Sequence, residues 1–211
     1  MTERSRSAAE LFPMFLKLAG RRCLVVGAGA IAESKIESLL KAGARVKVVA
    51  PEATEKVRRW ARAKRITWRA RAYRPEDLRR AFLVIAATSF TKLHRAIFRQ
   101  ARGAGVLCNA VDDPPNCDFY YPALVRRGSL QIAISTGGAS PSLAARLRAE
   151  LERQFGPEYS AWLKRLGRER AGILRRVPEA AARRKILHRL AGAARYQAFR
   201  REKTARHRSN R

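Results

Sequence analysis

Apolar and polar positions follow two different periods along the first half of the chain. Short apolar runs rich in β-branched residues are typical of buried parallel strands, and they lie at residues 22–27, 45–50, 66–69, 82–87 and 106–109. Apolar residues at helical spacing fill the intervals and predict helices over residues 30–42, 52–63 and 92–102, with a short helix opened by Pro75. Strands that alternate with helices predict an α/β fold with a Rossmann-like parallel sheet.

The pattern changes after residue 112. Two strand-like runs, at residues 119–125 and 129–135, are joined by Arg126-Arg-Gly128 and predict a hairpin. A glycine-rich turn and a helix opened by Pro141 follow, and the rest of the chain has helical periodicity only. These changes divide the sequence into an α/β domain at 1–112, a small α+β domain at 113–156, a helical domain at 157–198 and a basic, disordered tail at 199–211.

A glycine motif stands between the first predicted strand and the first predicted helix. The segment Gly27-Ala-Gly-Ala-Ile-Ala32 matches GxGxxA. Gly27 permits a tight turn, Gly29 lets the backbone approach a pyrophosphate, and Ala32 lets the helix pack closely on the sheet. The helix then begins with the N–H groups of Ala30 and Ile31 facing the phosphates. This context predicts a dinucleotide site, and the alternative is a glycine turn in an ordinary α/β domain.

The end of the second strand bears on the choice between NAD and NADP. That strand ends at Pro51, and the first acidic residue, Glu52, follows about twenty residues after the glycine motif. Glu52 can bind ribose hydroxyls, although an acid at the start of the next helix has an alternative role in stabilising that helix. Residues 50–54 contain no arginine to receive a 2′-phosphate. The sequence therefore favours NAD as the cofactor.

Composition excludes several classes of protein. Of the 211 residues, 46% are hydrophobic, which is typical of a globular chain rather than a disordered one. The three cysteines, Cys23, Cys108 and Cys117, form no CxxC pair and are too few for a disulfide scaffold, so a reducing cytoplasm is the expected location. No apolar run approaches the ~20 residues that span a membrane, and the N-terminal segment has no signal-peptide pattern.

The chain has a formal net charge of +29, which favours association with polyanions. The excess is largest after residue 165 and consists mostly of arginine. A solvated basic surface and a nucleic-acid site both fit this pattern. The sequence contains neither a zinc-finger spacing nor an aromatic RNA-binding segment, so the solvated surface is favoured and nucleic acid is not an expected partner.

Several ordered blocks of sequence resemble the precorrin-2 dehydrogenase family, the dehydrogenase–ferrochelatase module of siroheme synthases. The likeness runs from about residue 11 to residue 155. The blocks that carry it are FPMFLKL at 12–18, VVGAGAIAESK at 25–35, AGARVKVVAPE at 42–52, CNAVDD at 108–113, DFYYPALVRRG at 118–128 and IAISTGGASPSLAARLR at 132–148. Such blocks in this order are far more specific than a glycine motif alone.

The resemblance implies that NAD⁺ oxidises precorrin-2 to sirohydrochlorin, and in some members of the family Fe²⁺ is then inserted to give siroheme. It also implies a homodimer in which the middle segment exchanges strands and a helix, so that residues 113–156 are a dimerisation domain. The helical region is expected to help cover the tetrapyrrole cleft. Whether this chain inserts Fe²⁺ or Co²⁺ stays open. The sequence has no methyltransferase domain, so the upstream methylation is expected to belong to another protein.

The key aspartate of the family corresponds to Asp112. Dehydrogenation sends a hydride to the nicotinamide and a proton to a base, and metal insertion removes two protons from pyrrole nitrogens. A carboxylate at the carboxyl end of a sheet strand suits both reactions. Asp113 is expected to cap the Asp-Pro-Pro turn, and a pair of turn-forming aspartates without a catalytic role is the alternative.

Further site residues follow from the resemblance and from position. Thr88 is expected at the cofactor edge of the sheet, where the next positions depart from the family: Ser89 replaces an acid and His94 replaces a frequent asparagine. The predicted substrate contacts are Asn109, Thr136, Gly137, Ser140 and Arg146, with Arg126 and Arg127 as additional candidates for the carboxylates of precorrin-2.

No metal site is predicted, because the three histidines are spread along the chain and isolated histidines of this kind are usually surface or helix-face residues. Two other functions remain open at this point. One is an NAD-sensing Rossmann module that binds through Gly27 and Gly29 without chemistry at Asp112, and the other is a nucleic-acid-associated basic protein.

Overall fold

The structure is a computed structural model that describes residues 10–209, with side chains from residue 10 to residue 202. These residues form two compact units. One comprises residues 12–121, and the other comprises residues 10–11 and everything from Pro122 onward. The N-terminal segment, in which no signal peptide is predicted, lies largely outside the described residues.

The unit of residues 12–121 contains a five-stranded parallel sheet. Its strands are β1 (Arg22–Val26), β2 (Arg45–Val49), β3 (Ile66–Arg69), β4 (Leu83–Ala86) and β5 (Leu107–Ala110). Their order across the sheet is β3-β2-β1-β4-β5, as in the first half of a Rossmann fold. The predicted Rossmann-like α/β fold is therefore confirmed, and each apolar run of the sequence forms a strand within one or two residues.

Helices α1 (Ala30–Lys41), α2 (Glu55–Arg62) and α3 (Thr91–Gly103) cover the two faces of this sheet. Ile36 of α1 and Val57 of α2 pack with one set of strand residues, while Ile97 of α3 packs with the other set. Two elements differ from the sequence prediction. Helix α2 begins later because the Thr54 hydroxyl accepts a hydrogen bond from the Val57 N–H and caps it there. The segment opened by Pro75 forms a single 3-10 turn rather than a helix.

The second unit begins with an antiparallel hairpin of β6 (Ala123–Arg127) and β7 (Leu130–Ile134), as predicted. Four helices follow: α4 (Pro141–Gln154), α5 (Glu158–Arg176), α6 (Ala180–Leu190) and α7 (Ala193–Ser209). None of the described helices is long and apolar enough to cross a membrane.

Helix α7 begins inside the predicted helical region and continues from residue 199 into the segment where the sequence pattern predicts a disordered basic tail. Its N-terminal half carries aromatic side chains that pack on α5: the Tyr196 ring lies 4.5 Å from that of Tyr159, and the Phe199 ring lies 5.2 Å from that of Trp162. Alanine, arginine and glutamine also have high helix propensity, so a polar sequence can continue the helix once its first turns are anchored. The side chains of 203–211 lie outside the described residues.

Candidate active site

Gly27 forms the turn at the carboxyl end of β1, and only glycine fits there. Its φ is +106°, and a Cβ atom at this position would lie 2.2 Å from the carbonyl oxygen of Ala87. The Gly27 N–H donates a hydrogen bond of 2.9 Å to the carbonyl of Val49, at the end of β2. The turn therefore meets the carboxyl ends of β2 and β4 and closes the crevice in which Rossmann folds bind their ligands.

Gly29 differs, because a Cβ atom there would meet no atom within 4 Å. Gly29 is the N-cap of α1, and no side chain bonds to the first turn of that helix. The first N–H groups of a helix have no carbonyl partner within it, and those of Ala30 and Ile31 begin α1 at an exposed surface. This open, glycine-lined cradle fits the pyrophosphate of a dinucleotide.

The β2 end contributes Pro51 and Glu52, and both are exposed. The Thr54 N–H donates to the carbonyl of Ala28 at 3.1 Å, so the backbone that follows Glu52 is fixed beside the glycine turn. A carboxylate in this position can accept hydrogen bonds from the ribose hydroxyls of a nicotinamide dinucleotide.

The β4 end is held by a buried histidine. His94 of α3 is only 3% exposed, and its Nε2 donates to the carbonyl of Thr88 at 3.0 Å. Its Nδ1 lies 3.7 Å from Oδ2 of Asp113 and makes no hydrogen bond. The expectation of a surface or helix-face histidine is therefore wrong for His94, because residues from the ends of two strands enclose it.

Asp112 stands at the end of β5 with its carboxylate exposed. Its φ of +58° lies in the left-handed region, which asparagine and aspartate tolerate better than most residues do. The preceding N–H, of Val111, donates to the carbonyl of Ala86 at 2.9 Å and ties this turn to β4. Asp113 is half-buried and accepts a hydrogen bond of 2.8 Å from the Asn116 amide within the Asp-Pro-Pro turn. The two neighbouring aspartates therefore differ in exposure.

Lys35 is a site residue that the sequence reasoning missed. It lies one turn after Ile31 on α1, and its Nζ is 3.9 Å from the centroid of the Tyr121 ring. Burial lowers the pKa of Lys35, while the nearby charge of Asp112 acts in the opposite direction. Burial of its hydroxyl also raises the pKa of Tyr121 well above its usual value. The i, i+4 spacing from Ile31 was the available signal, because it predicts that Lys35 shares a helix face with the first turn.

Asn109 has a different role from the one predicted. It is buried, and its amide nitrogen donates to the carbonyl of Phe119 at 2.8 Å and contacts the Cys117 sulfur at 3.4 Å. The side chain therefore holds the segment after the Asp-Pro-Pro turn against β5 instead of facing solvent for a substrate.

The remaining predicted substrate contacts lie together in the second unit. The Thr136 hydroxyl makes hydrogen bonds of 3.2 Å with both the N–H and the carbonyl of Ser140, and Ser140 in turn caps α4. Gly137 lies between them with a φ of +62°, and a Cβ there would meet no atom. Arg146, two turns into α4, is exposed and pairs with Glu150 at 2.9 Å.

Arg127 does not fit its predicted contact with substrate carboxylates. Its guanidinium donates to the carbonyls of Phe155 and Glu152, at 2.7 and 3.0 Å, and so satisfies the C-terminal end of α4.

Within the described residues, no group of three or more His, Cys, Asp or Glu side chains is placed to hold a metal ion.

Two family models match the chain in sequence. An NAD(P)-binding family covers residues 14–123, which is more than half of the chain. The central domain of sirohaem biosynthesis proteins covers residues 127–154. The first match contains the glycine turn, Lys35 and Asp112, and the second contains the Thr136–Ser140 turn and all of α4.

Curated relatives include the siroheme synthase of Nitrosococcus oceani, which is 39% identical over 83% of this chain, and siroheme synthase 1 of Pectobacterium atrosepticum, which is 40% identical over 84%. The chain spans about 37% of the length of each of these proteins. Among solved structures, that of SirC, a precorrin-2 dehydrogenase, superposes with a TM-score of 0.75 at 28% identity. That alignment covers 87% of this chain and 90% of SirC.

Proposed function

The chain belongs to the family of NAD(P)-binding modules of siroheme synthases, and on this premise we propose that it oxidises precorrin-2 to sirohydrochlorin with NAD⁺. One observation carries the proposal. The open glycine cradle at Gly29 and the exposed carboxylate of Asp112 both lie at the carboxyl edge of one parallel sheet. That edge is where a Rossmann fold brings cofactor and substrate together.

The reaction removes two hydrogens from the macrocycle. The turn at Gly29 and the first N–H groups of α1 would hold the pyrophosphate of a nicotinamide dinucleotide, which would supply the acceptor for one hydrogen as a hydride with its electron pair, and the other hydrogen leaves as a proton. Asp112 is the proposed base for that proton. Lys35 lies near this carboxylate, and the charge of Asp112 opposes the lowering of the Lys35 pKa that burial causes. The His94 ring bonds to the Thr88 carbonyl and lies 3.7 Å from Asp113, so it fills the space between the ends of β4 and β5.

We test this proposal by incubating the chain with precorrin-2 and NAD⁺ without oxygen while following the absorbance of NADH and sirohydrochlorin. In Asp112→Asn, asparagine tolerates the left-handed backbone as aspartate does, but its amide cannot accept the proton. The turnover of this variant should therefore fall by about 100-fold or more. Its NAD⁺ dissociation constant should stay within about threefold of wild type, because the cradle at Gly29 is untouched.

Asp113→Asn is the matched control, since it removes the adjacent carboxylate and should lower turnover much less. Wild-type turnover in Asp112→Asn would remove this residue from the mechanism. NAD⁺ binding by the wild-type chain without any turnover would instead favour an NAD-sensing module.

We infer that the cofactor is NAD rather than NADP. Glu52 is exposed at the end of β2, and residues 50–54 offer no arginine to a 2′-phosphate. The wild-type chain should bind NAD⁺ about tenfold or more tightly than NADP⁺, because the carboxylate repels the added phosphate. Glu52→Gln should reduce this preference for NAD⁺ over NADP⁺, as measured by titration with both dinucleotides. Glu55→Gln, which removes the same negative charge from the next helix, is the control. An unchanged ratio in Glu52→Gln would exclude this role.

We propose that Thr136, Gly137, Ser140 and Arg146 bind carboxylates of the substrate. Support comes from the accessible glycine backbone at Gly137 and from the exposed guanidinium of Arg146. Arg146→Gln should raise the KM for precorrin-2 with little change in kcat. A guanidinium that holds a substrate carboxylate away from the reacting atoms binds the substrate and the transition state equally strongly. A lower kcat with an unchanged KM would contradict this assignment.

We also propose a homodimer, with residues 113–156 as the dimerisation domain. The hairpin of β6 and β7 is a two-stranded sheet, which is marginal when isolated. Of α4, only Ala144 is buried, while Leu143 is 39% exposed. Light scattering after gel filtration should give twice the chain mass of 23.7 kDa. A particle of one chain mass at micromolar concentration would contradict the dimer.

Metal insertion and cellular location extend the same proposal. Inserting Fe²⁺ or Co²⁺ into sirohydrochlorin releases two pyrrole protons, and Asp112 is the proposed acceptor. Insertion above the spontaneous rate, reduced in Asp112→Asn, is the expected result, and insertion at the spontaneous rate in wild type would exclude this step.

A cytoplasmic location is supported by the three free thiols of Cys23, Cys108 and Cys117.

A further inference from the structure

A second cavity lies beside strand β3, mostly toward the amino ends of the strands of the parallel sheet. Its volume is about 600 Å³, and it is lined by the amino ends of β1 and β2, by residues along β3 as far as Arg69 at its carboxyl end, and by Asp77, Arg79 and Ala81. The link from β3 to β4 contains only the 3-10 turn Pro75–Leu78 in place of a crossover helix, so this part of the sheet is left accessible. The amino ends of β1 and β2 lie about 15 Å from the glycine turn, which stands at the carboxyl end of β1.

The lining of this cavity is strongly cationic. Six of its basic side chains are exposed and have no carboxylate partner among the residues that the structure describes. We call this set the basic trough: Arg22, Arg45, Lys64, Arg65, Arg69 and Arg79.

The acid that lines the trough does not neutralise these six residues. Asp77 already binds Lys47 at 2.6 Å and Arg71 at 2.7 Å. Burial alone would raise the pKa of Asp77, but the hydrogen bonds from Arg71, Lys47 and the Arg74 N–H outweigh it and hold the pKa far below its usual range. The trough therefore concentrates unpaired positive charge in a space of small-ligand size.

Both its size and its charge define the ligand. Cavities of about 300–1,000 Å³ hold small molecules, and a nucleic acid would need a basic stripe that continues beyond the cavity. Guanidinium groups bind phosphate oxygens in pairs, and linked phosphates bring several negative charges into a small volume. We propose that the basic trough binds a small polyanion made of linked phosphate groups, at a site separate from the dinucleotide crevice.

Calorimetric titration of the full chain with tripolyphosphate tests this proposal. Wild type should bind one tripolyphosphate per chain, and Arg45→Gln/Arg65→Gln should weaken binding by about tenfold or more, or about 1.4 kcal/mol. Arg95→Gln/Arg99→Gln removes the same charge from exposed positions on α3 and should change the affinity by less than about twofold, because distant surface charges are screened. Arg22→Gln/Arg79→Gln is a second trough variant, in case the first does not fold.

The NAD⁺ affinity of each variant provides a separate readout, and it should equal that of wild type. Equal weakening in the trough and α3 variants would show a general charge effect and overturn the proposal. Citrate that binds as tightly as tripolyphosphate would overturn the assignment to phosphate. An oligonucleotide would overturn the assignment to a small ligand if it displaced tripolyphosphate and its binding free energy per negative charge exceeded that of tripolyphosphate. Failure of precorrin-2 oxidation would leave these results unaffected, since the titration with tripolyphosphate involves neither the glycine turn nor Asp112.

Discussion

At the scale of single residues, the two glycines of the β1–α1 turn differ in what a methyl group would meet. A Cβ at Gly27 would overlap the Ala87 carbonyl, whereas a Cβ at Gly29 would project into open space. Gly27→Ala should therefore destabilise the fold by about 3 kcal/mol, through a clash in an unfavourable backbone conformation. Gly29→Ala should change stability by less than about 0.5 kcal/mol.

The same pair separates folding from binding. A methyl group at Gly29 would occupy the space that we assign to the pyrophosphate, so NAD⁺ affinity should fall by about tenfold or more in Gly29→Ala although its thermal unfolding is unchanged. Thermal denaturation and NAD⁺ titration of both variants measure this contrast. Normal NAD⁺ binding by Gly29→Ala would mean that the cradle is not the pyrophosphate site.

Other residues of the site were beyond sequence reasoning because their roles depend on contacts between distant segments. His94 is buried only because Thr88 and Asp113, from the ends of two strands, meet around its ring. Lys35 interacts with Asp112 across a long stretch of chain. The glycine turn could be predicted because a local sequence motif marks it, whereas Asp112 was assigned through the family resemblance and its role stays a prediction.

At the scale of elements, Asp77 joins the 3-10 turn before β4 to β2 through Lys47. Its pKa in the folded chain is held below the usual 3.8, so its stabilising effect is present above about pH 4 and is lost as the pH falls further. Asp77→Asn should lower the free energy of unfolding by about 2 kcal/mol at pH 7, because Lys47 and Arg71 lose a buried anion.

The difference between wild type and Asp77→Asn should shrink as the pH falls below 4, and denaturant titrations across that range measure it. Glu76→Gln changes the exposed neighbour and should alter the free energy of unfolding by less than about 0.5 kcal/mol. A difference that is constant with pH would contradict the ionic role of Asp77.

Element boundaries show where a local pattern is sufficient. Strands β1, β4 and β5 are buried along most of their length, so their apolar runs reveal them directly. The continuation of α7 beyond residue 198 was missed because its anchoring contacts, from Tyr196 and Phe199 to α5, cannot be read from a pattern of mostly polar residues. The late start of α2 depends on a single cap by Thr54, which a helical period alone does not indicate.

At the scale of the whole molecule, the net charge of +29 acquires a more specific distribution. Many of the basic residues are engaged within their own unit, as with Arg127 at the end of α4 and Arg165 with Glu169 and Glu202. The basic trough is different because its six cations surround a cavity without acidic partners among the described residues. Composition gave only the sign of the charge, and the fold gives its arrangement.

The central claim is that a nicotinamide dinucleotide lies on the β1–α1 turn with its reactive ring facing a tetrapyrrole beside Asp112. An anaerobic crystal structure of the Asp112→Asn chain with NAD⁺ and precorrin-2 tests it most directly. The account predicts the pyrophosphate over Gly29, the nicotinamide in contact with the macrocycle, and residue 112 within hydrogen-bond distance of the carbon or nitrogen that loses its proton. A macrocycle bound out of reach of both the nicotinamide and residue 112 would contradict the account.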